Sequence, residues 1–313
     1  MKKELFSLKS DYDGLLLHGV VVEPTAQARG VVQITHGMCE YKERYEPFMD
    51  FLAQNGYIAV CYDQRGHGDS VENQEDLGWF RDFDGKAFVQ DAVKVTKWIK
   101  ERYPNLPIIL FGHSMGSMIV RCYIQEHDDL IDKLIVCGSP SKNPLVGVAI
   151  LLVKLVRLFK GERHRSNMLA YLSTGKGDEL FPGEGKGAWL SKNHECTNAF
   201  YANPKGKHKF TCNGFENLFK LMKRTYTAKN YKVKNPNLAI QFVSGEDDAI
   251  KGNAGKWGQS IDFLYKVGKK ENRYKNVTGK LYKGLRHEIL NEPEAETVYH
   301  DLLKFIESGE NFA

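Results

Sequence analysis

The chain has 313 residues, of which 42% are hydrophobic and 27% are charged, a composition typical of a folded globular protein. No apolar run reaches the ~18 residues that a membrane-spanning helix needs. The first ten residues lack the features of a signal peptide, and the six cysteines form no C-x-x-C pair. A cytoplasmic protein without disulfides, structural zinc or a nucleic-acid partner is therefore expected.

Strands and helices alternate along most of the chain. Short apolar, β-prone runs predict strands at 15–22, 30–35, 57–62, 108–111, 134–137, 238–243 and 279–282. Helical spacing of apolar residues predicts helices at 44–55, 87–102, 257–266 and 292–308, and a further helix directly after residue 114. This alternation predicts an α/β fold with a mostly parallel central sheet and helices on both faces.

The alternation stops after Pro140 and resumes after Asn235. Residues 1–139 and 236–313 are therefore expected to form the α/β core, and residues 140–235 a helical cap inserted over it. The insertion holds 18 Lys and Arg against 6 Asp and Glu, a net charge of +12, whereas the rest of the chain carries −7. Two explanations stay open, a solvated basic face and an attraction for anionic lipids or phosphate-bearing substrates.

Within the insertion, residues 144–159 are mostly aliphatic, with cationic side chains towards their end. They predict a lid helix that lines an acyl-chain tunnel or touches a lipid surface. Packing of this helix on the core of the cap itself is the alternative.

The most informative motif is the pentapeptide Gly112-His113-Ser114-Met115-Gly116, a G-x-S-x-G pattern between a predicted strand and a predicted helix. A serine at such a sharp turn is exposed in a strained conformation, and the two glycines leave room for the adjoining strand and helix. Ser114 is thus a candidate nucleophile, and the N–H of Met115 is a candidate donor to an oxyanion.

A serine nucleophile needs a base and a group that orients the base, and in this sheet type the order is Ser, acid, His. Glu246, Asp247 and Asp248 follow one late strand, and His287 follows the next. From the residues by themselves, Asp247 and Asp248 are equally good candidates for the acid. His36 and His113 are expected to be hydrogen-bonded, partly buried histidines rather than bases.

Five ordered blocks resemble the α/β-hydrolases of the monoacylglycerol lipase and lysophospholipase type, the serine aminopeptidase S33-like group. These blocks are His36-Gly37-Met38 with Glu40 and Arg44-Tyr45, 63–70, 112–116, 244–248 and 284–288. The resemblance implies the α/β-hydrolase fold. It also implies that Asp248 is the acid and that the N–H of Met38 is the second oxyanion donor.

Together these residues predict a serine hydrolase that cleaves carboxylic esters through an acyl-enzyme, with Ser114, Asp248 and His287 as its triad. The expected substrates are monoacylglycerols, lysophospholipids or simple acyl esters, and no metal or cofactor is expected. A transient contact of the cap with a lipid surface is also expected. Peptidase or thioesterase activity on the same triad, and a non-catalytic binding protein on this scaffold, are the alternatives.

Overall fold

Eight strands form one sheet in this computed structural model, which describes residues 1–175 and 177–308. The strands are β1 (Lys2–Lys9), β2 (Leu16–Glu23), β3 (Gly30–Thr35), β4 (Tyr57–Tyr62), β5 (Ile108–His113), β6 (Lys133–Cys137), β7 (Ala239–Gly245) and β8 (Asn276–Tyr282). Their order is β1-β2-β4-β3-β5-β6-β7-β8, and every pair from β4 to β8 is parallel. The prediction of a mostly parallel sheet is confirmed.

Strand β1 is an element that the sequence patterns did not predict. It pairs antiparallel with β2, in a register that runs from Lys2 opposite Glu23 to Lys9 opposite Leu16. Phe6 faces inward, but Leu5 is 72% exposed, so the apolar residues do not alternate with polar ones. At a sheet edge, pairing with the neighbouring strand defines the strand more than its own pattern does.

Helices cover both faces of the sheet. They are α1 (Glu46–Gln54), α2 (Lys86–Arg102), α3 (Met115–His127), α4 (Val146–Lys160), α5 (Asn167–Ala170), α6 (His194–Ala202), α7 (Cys212–Thr225), α8 (Ala254–Lys266) and α9 (Ala295–Ser308). Val31 of β3 belongs to the core cluster that includes residues of α2, α3 and α8, whereas Val32 belongs to the cluster with α1 and α9. Because successive strand residues point to opposite faces, burial on both faces explains the continuous apolar runs.

The chain between β6 and β7 carries α4 to α7. Helix α7 packs against both α3 and α4, and its buried Asn213 and Asn217 both donate hydrogen bonds to the carbonyl of Asp82. This segment is therefore joined to the α/β part by buried hydrogen bonds as well as by packing. The boundaries at 140 and 235 stay a prediction. Among the described helices, none combines the length and apolar character needed to cross a bilayer.

Some of the basic side chains in the insertion pair with acidic side chains in the rest of the chain. Five basic side chains of the insertion form ion pairs with acids outside it, at N···O distances from 2.6 to 3.0 Å: Arg163–Asp76, Lys192–Glu294, Lys205–Asp69, Lys232–Glu126 and Lys234–Asp129. These pairs are mostly solvent-exposed, and each contributes about 0.2–1 kcal/mol at most. Part of the basic charge thus serves to hold the insertion against the acidic remainder of the chain.

Candidate active site

Ser114 lies at the turn between β5 and α3, in a strained backbone conformation with φ of 54° and ψ of −115°. A non-glycine residue at such a positive φ costs about 1–3 kcal/mol, which the surrounding packing must offset. A Cβ on Gly112 would lie 2.5 Å from the carbonyl oxygen of Gly116, and one on Gly116 would overlap the carbonyl oxygen of Thr35. Both glycines are therefore required by close backbone approach, as the motif predicts.

Asp248 and His287 lie in the loops that follow β7 and β8, where the carboxyl ends of these two strands bring them together. The Nδ1 atom of His287 lies 3.0 Å from both carboxylate oxygens of Asp248, and both side chains are buried. Ser244 Oγ and Ile250 N also donate to this carboxylate, each at 2.8 Å. Glu246 and Asp247 are exposed, so the acid that contacts the histidine is Asp248.

The surroundings of Asp248 favour its ionised form. Burial by itself raises the pKa of Asp248, but the attraction of His287 and the three hydrogen bonds outweigh it and lower the pKa to about 2. Because an ionised carboxylate can only accept hydrogen bonds, Nδ1 of His287 carries a proton. The other ring nitrogen, Nε2, is then the basic one.

Ser114 and His287 line one cavity of about 320 Å³. Among the described residues, no hydrogen bond joins Ser114 Oγ to the imidazole. In substrate-free hydrolases such bonds are often long and tighten when a substrate binds. The ring of Trp189 packs beside the imidazole, with centroids 5.1 Å apart, and its carbonyl accepts the backbone N–H of His287 at 3.4 Å. The insertion thus contacts the histidine loop directly.

The loop after β3 lies against Ser114. A Cβ on Gly37 would come within 3.0 Å of Ser114 Cβ, so glycine allows this approach. Met38 and Met115 line the cavity with Ser114, and the backbone N–H of neither residue donates a hydrogen bond within residues 1–175 and 177–308. Two unpaired N–H groups beside a serine are suited to stabilising negative charge on a carbonyl oxygen.

The buried carboxylate of Glu40 joins this loop to the elbow. It accepts hydrogen bonds from Gly37 N at 2.6 Å, Tyr45 Oη at 2.8 Å and Arg44 Nη1 at 2.6 Å. Nδ1 of His113, the residue before Ser114, lies 2.9 Å from the same carboxylate. One carboxylate therefore fixes two of the segments that surround the serine.

Both ring nitrogens of His113 lie within hydrogen-bonding distance of acceptors. Its Nδ1 donates to Glu40, and its Nε2 donates to the carbonyl oxygen of His287 at 3.2 Å. Burial by itself lowers the pKa of His113, but Glu40, Glu288 and the carbonyl of His287 together raise it by more, so the net shift is upward. Arg44 extends the network by donating to Glu288 at 2.6 and 2.8 Å. Glu40, Arg44 and Glu288 lie within the matching blocks, but no pattern in the sequence indicates a role for them.

The cavity wall is mainly apolar on the side of α3 and α7. Its side chains there are Met118, Phe215, Leu218, Phe219 and Met222. In the described part of the chain, no group of three or more His, Cys, Asp or Glu side chains is arranged to hold a metal ion.

The family is settled by comparison with known proteins. The sequence profile of the family described as serine aminopeptidase, S33, matches residues 26–294. The chain belongs to this family. The α/β-hydrolase fold and the ester-hydrolase class expected from the sequence are both confirmed.

Relatives and structural neighbours of this family member carry lipase and esterase names. A monoacylglycerol lipase of Mycolicibacterium smegmatis is 27% identical over 285 residues, covering 91% of this chain and 90% of its own. A phospholipase of Bacillus subtilis is 24% identical over 272 residues, covering 86% and 92%. A carboxyl esterase of Bacillus coagulans, solved with glycerol, superimposes with a TM-score of 0.83 at 24% identity, covering 98% of both chains. At that identity, the superposition shows the fold alone.

Proposed function

We propose that this chain cleaves carboxylic esters of lipids through an acyl-enzyme, with Ser114 as nucleophile, His287 as base and Asp248 as the residue that orients the base. The observation that carries the proposal is the buried Asp248–His287 pair, whose histidine lines one cavity with a serine held at a strained elbow. A serine hydroxyl is a weak nucleophile at neutral pH, and this arrangement supplies the base that it needs.

The reaction has two stages. In the first, Nε2 of His287 takes the proton of Ser114 as Oγ attacks the ester carbonyl, and it then gives that proton to the departing alcohol. In the second, His287 takes a proton from water, whose oxygen attacks the acyl-enzyme, and returns the proton to Ser114 as the carboxylic acid leaves. Asp248 stabilises the imidazolium in both stages.

Negative charge on the substrate's carbonyl oxygen is stabilised in this proposal by the N–H groups of Met38 and Met115. The lack of partners for these N–H groups in the described chain, and the place of both residues in the cavity lining, support the assignment. Removal of one such donor typically costs about 100- to 1000-fold in kcat. Because both donors are backbone groups, substitution of either methionine side chain changes the shape of the cavity but leaves the two N–H donors in place.

The apolar wall formed by α3 and α7 supports a substrate with an acyl chain, since buried apolar side chains favour burial of an alkyl chain. The names of the relatives, monoacylglycerol lipase and phospholipase, point to the same class. We therefore propose a monoacylglycerol, a lysophospholipid or a simple carboxylic ester as the substrate, with residues 140–235 acting as the cap that selects it.

The family is described as a serine aminopeptidase family. Cleavage of an amide or a thioester would use the same serine, histidine and aspartate. A substrate panel separates these activities from ester hydrolysis. The panel consists of p-nitrophenyl esters of increasing chain length, a monoacylglycerol, a lysophospholipid, an acyl thioester and an amino-acid p-nitroanilide. Turnover of the anilide or thioester with no turnover of any oxygen ester would contradict the proposal.

The proposed nucleophile is tested with a fluorophosphonate probe and the Ser114→Ala variant. The wild type is expected to be labelled at Ser114, and the variant is expected to lose labelling and ester turnover while keeping its thermal unfolding temperature. Ser117→Ala in the first turn of α3 is the matched control, since Ser117 is buried, donates its hydroxyl to the carbonyl oxygen of Ser114 and does not line the cavity. Labelling that persists in Ser114→Ala would refute the role of this serine.

Helix α4 carries an exposed apolar stripe, which we propose as a contact with a lipid surface. Val148, Leu151, Leu155 and Leu158 follow one helix face, with exposed fractions of 65%, 68%, 52% and 76%. No acidic residue lies in α4, and Lys154 stands exposed in the helix. An amphipathic helix with cations beside an apolar face suits an anionic lipid surface.

Co-sedimentation with anionic vesicles tests this contact. The double variant Leu155→Ser and Leu158→Ser is expected to bind at least about tenfold more weakly, because two large apolar side chains no longer enter the interface. Leu5→Ser and Leu16→Ser in β1 and β2 form the control, since these leucines are also exposed. Equal vesicle binding by the two double variants would contradict a surface contact through α4.

A further inference from the structure

The cavity mouth carries three lysines whose charge is not neutralised by an acid in the described part of the chain. Lys186, Lys207 and Lys209 line the same cavity as Ser114, and all three are exposed. None of them forms an ion pair with a carboxylate in the described residues, although many basic residues of the insertion do. Cations that line a cavity without a counter-ion favour a ligand that brings its own negative charge.

Two of these lysines are positioned by neutral groups. The Nζ atom of Lys186 lies 4.0 Å from the ring centroid of Tyr201, and Nζ of Lys209 donates to Asn167 Oδ1 at 2.7 Å. An aromatic ring or an amide restricts a lysine without cancelling its charge. The side chains are therefore partly preorganised, and less conformational entropy is lost when an anion binds.

The acids of the same cavity are already engaged. Glu40 is bound by Arg44 and His113, and Glu288 by Arg44. Asp178 accepts hydrogen bonds from two backbone N–H groups, those of Gly187 at 3.0 Å and Trp189 at 3.2 Å. These acids do not pair with the lysines, so the mouth keeps an excess of positive charge.

The cavity is thus apolar on the side of α3 and α7 and cationic at Lys186, Lys207 and Lys209. We propose that these three lysines form a subsite for the phosphate of a monoacyl glycerophosphate, whose acyl chain occupies the apolar side. Charge-assisted hydrogen bonds from lysine ammonium groups to phosphate oxygens are stronger than neutral ones, so this subsite favours a phosphorylated glycerol ester over its neutral counterpart. The inference rests on the proposed ester hydrolysis and names the substrate within it.

The test compares two soluble esters that differ by one phosphate, 1-hexanoylglycerol and 1-hexanoylglycerol 3-phosphate, below the concentrations at which they form micelles. Release of hexanoate in a pH-stat gives kcat/KM for each. The wild type is expected to prefer the phosphate ester. In the triple variant Lys186→Gln, Lys207→Gln and Lys209→Gln, the ratio of kcat/KM for the phosphate ester to kcat/KM for the neutral ester is expected to fall about tenfold. High salt is expected to lower the wild-type ratio as well.

A matched control removes the same net charge elsewhere. Lys223, Lys229 and Lys266 are exposed, form no ion pair in the described residues and do not line the cavity. Substitution of all three by Gln is expected to leave the ratio at the wild-type value. An equal fall in both triple variants would overturn the inference, because general charge rather than a subsite would explain the preference. A preference that appears only with vesicles would also overturn it.

A binding measurement separates this inference from the proposed chemistry. The probe is the non-hydrolysable ether 1-O-hexylglycerol 3-phosphate, titrated calorimetrically into Ser114→Ala with or without the three lysines. Lysine-dependent binding without any ester turnover by the wild type would refute the proposed function and keep the subsite. Ester turnover with a phosphate preference that is independent of the lysines would refute the subsite and keep the function.

Discussion

Replacement of Asp248 by Asn tests the role of the buried acid at nearly constant shape. The carboxylate of Asp248 accepts from Ile250 N at 2.8 Å, Ser244 Oγ at 2.8 Å and His287 Nδ1 at 3.0 Å. Ile250 N–H is a fixed donor, so the amide oxygen of Asn is expected to face it. The amide NH₂ then replaces the oxygen that faces both Ser244 Oγ and Nδ1 of His287, where it would clash with a proton on Nδ1. A hydroxyl can reverse and accept, whereas a protonated Nδ1 cannot.

The imidazole of His287 is therefore expected to change tautomer in Asp248→Asn. Nδ1 becomes an acceptor and Nε2 carries the proton, so Nε2 no longer takes the proton of Ser114. The imidazolium of the transition state also loses its counter-charge. We expect kcat/KM to fall about 1000- to 10,000-fold, or about 4–5 kcal/mol of transition-state stabilisation. The free energy of unfolding is expected to fall by only about 1–3 kcal/mol, because the hydrogen-bonding groups are largely re-satisfied.

The assay is p-nitrophenyl butyrate hydrolysis, with urea unfolding as the measure of stability. Asp247→Asn is the matched control, because Asp247 lies in the same turn but is exposed. It is expected to retain activity within about twofold, as surface substitutions usually do. Activity of Asp248→Asn within tenfold of the wild type, or an equal loss in Asp247→Asn, would refute the assignment.

Three further predictions concern the surroundings of the triad. Glu40→Gln removes the carboxylate that binds Gly37 N and His113, so kcat/KM is expected to fall. The free energy of unfolding in urea is expected to fall by about 3–5 kcal/mol, as for a broken buried ion pair, and unchanged stability would contradict this network. Gly116→Ala places a Cβ against the backbone of β3, so labelling of Ser114 by a fluorophosphonate is expected to be lost, and normal labelling would show that the elbow tolerates a side chain. Because the pKa of Asp248 is lowered to about 2 from an ordinary 3.8, its contribution of about 2 kcal/mol is present above pH ~4 and is lost as the pH falls through 2. The difference in unfolding free energy between the wild type and Asp248→Asn should therefore shrink on acidification, and a constant difference from pH 5 to pH 2 would argue against it.

Local sequence was enough to predict the α/β core. The central strands are buried on both faces, so each appears as a continuous apolar run with clear ends. The elbow was predictable for a related reason, since close backbone approach requires Gly112 and Gly116 on either side of Ser114. The edge strand β1 was missed because one of its faces meets solvent and its apolar pattern is irregular.

The choice of acid shows what the residues by themselves left open. Asp247 and Asp248 are adjacent, and the spacing from Gly245 does not by itself decide between them. In the structure, one is exposed and the other is buried against His287. That difference depends on how the loops after β7 and β8 pack against each other. Their contact is long-range, because Asp248 and His287 are 39 positions apart in the chain.

Charge shows the same limit. The sequence by itself established that residues 140–235 are basic and that a serine, an acid and a histidine follow successive strands in order. Only the tertiary structure decided which lysines pair with acids and which line the cavity without an acidic partner among the described residues, because an ion pair forms between side chains far apart in the chain. The strands and their order along the chain follow from the local sequence. The pairing of charged side chains around Ser114 forms only when the insertion packs over the sheet.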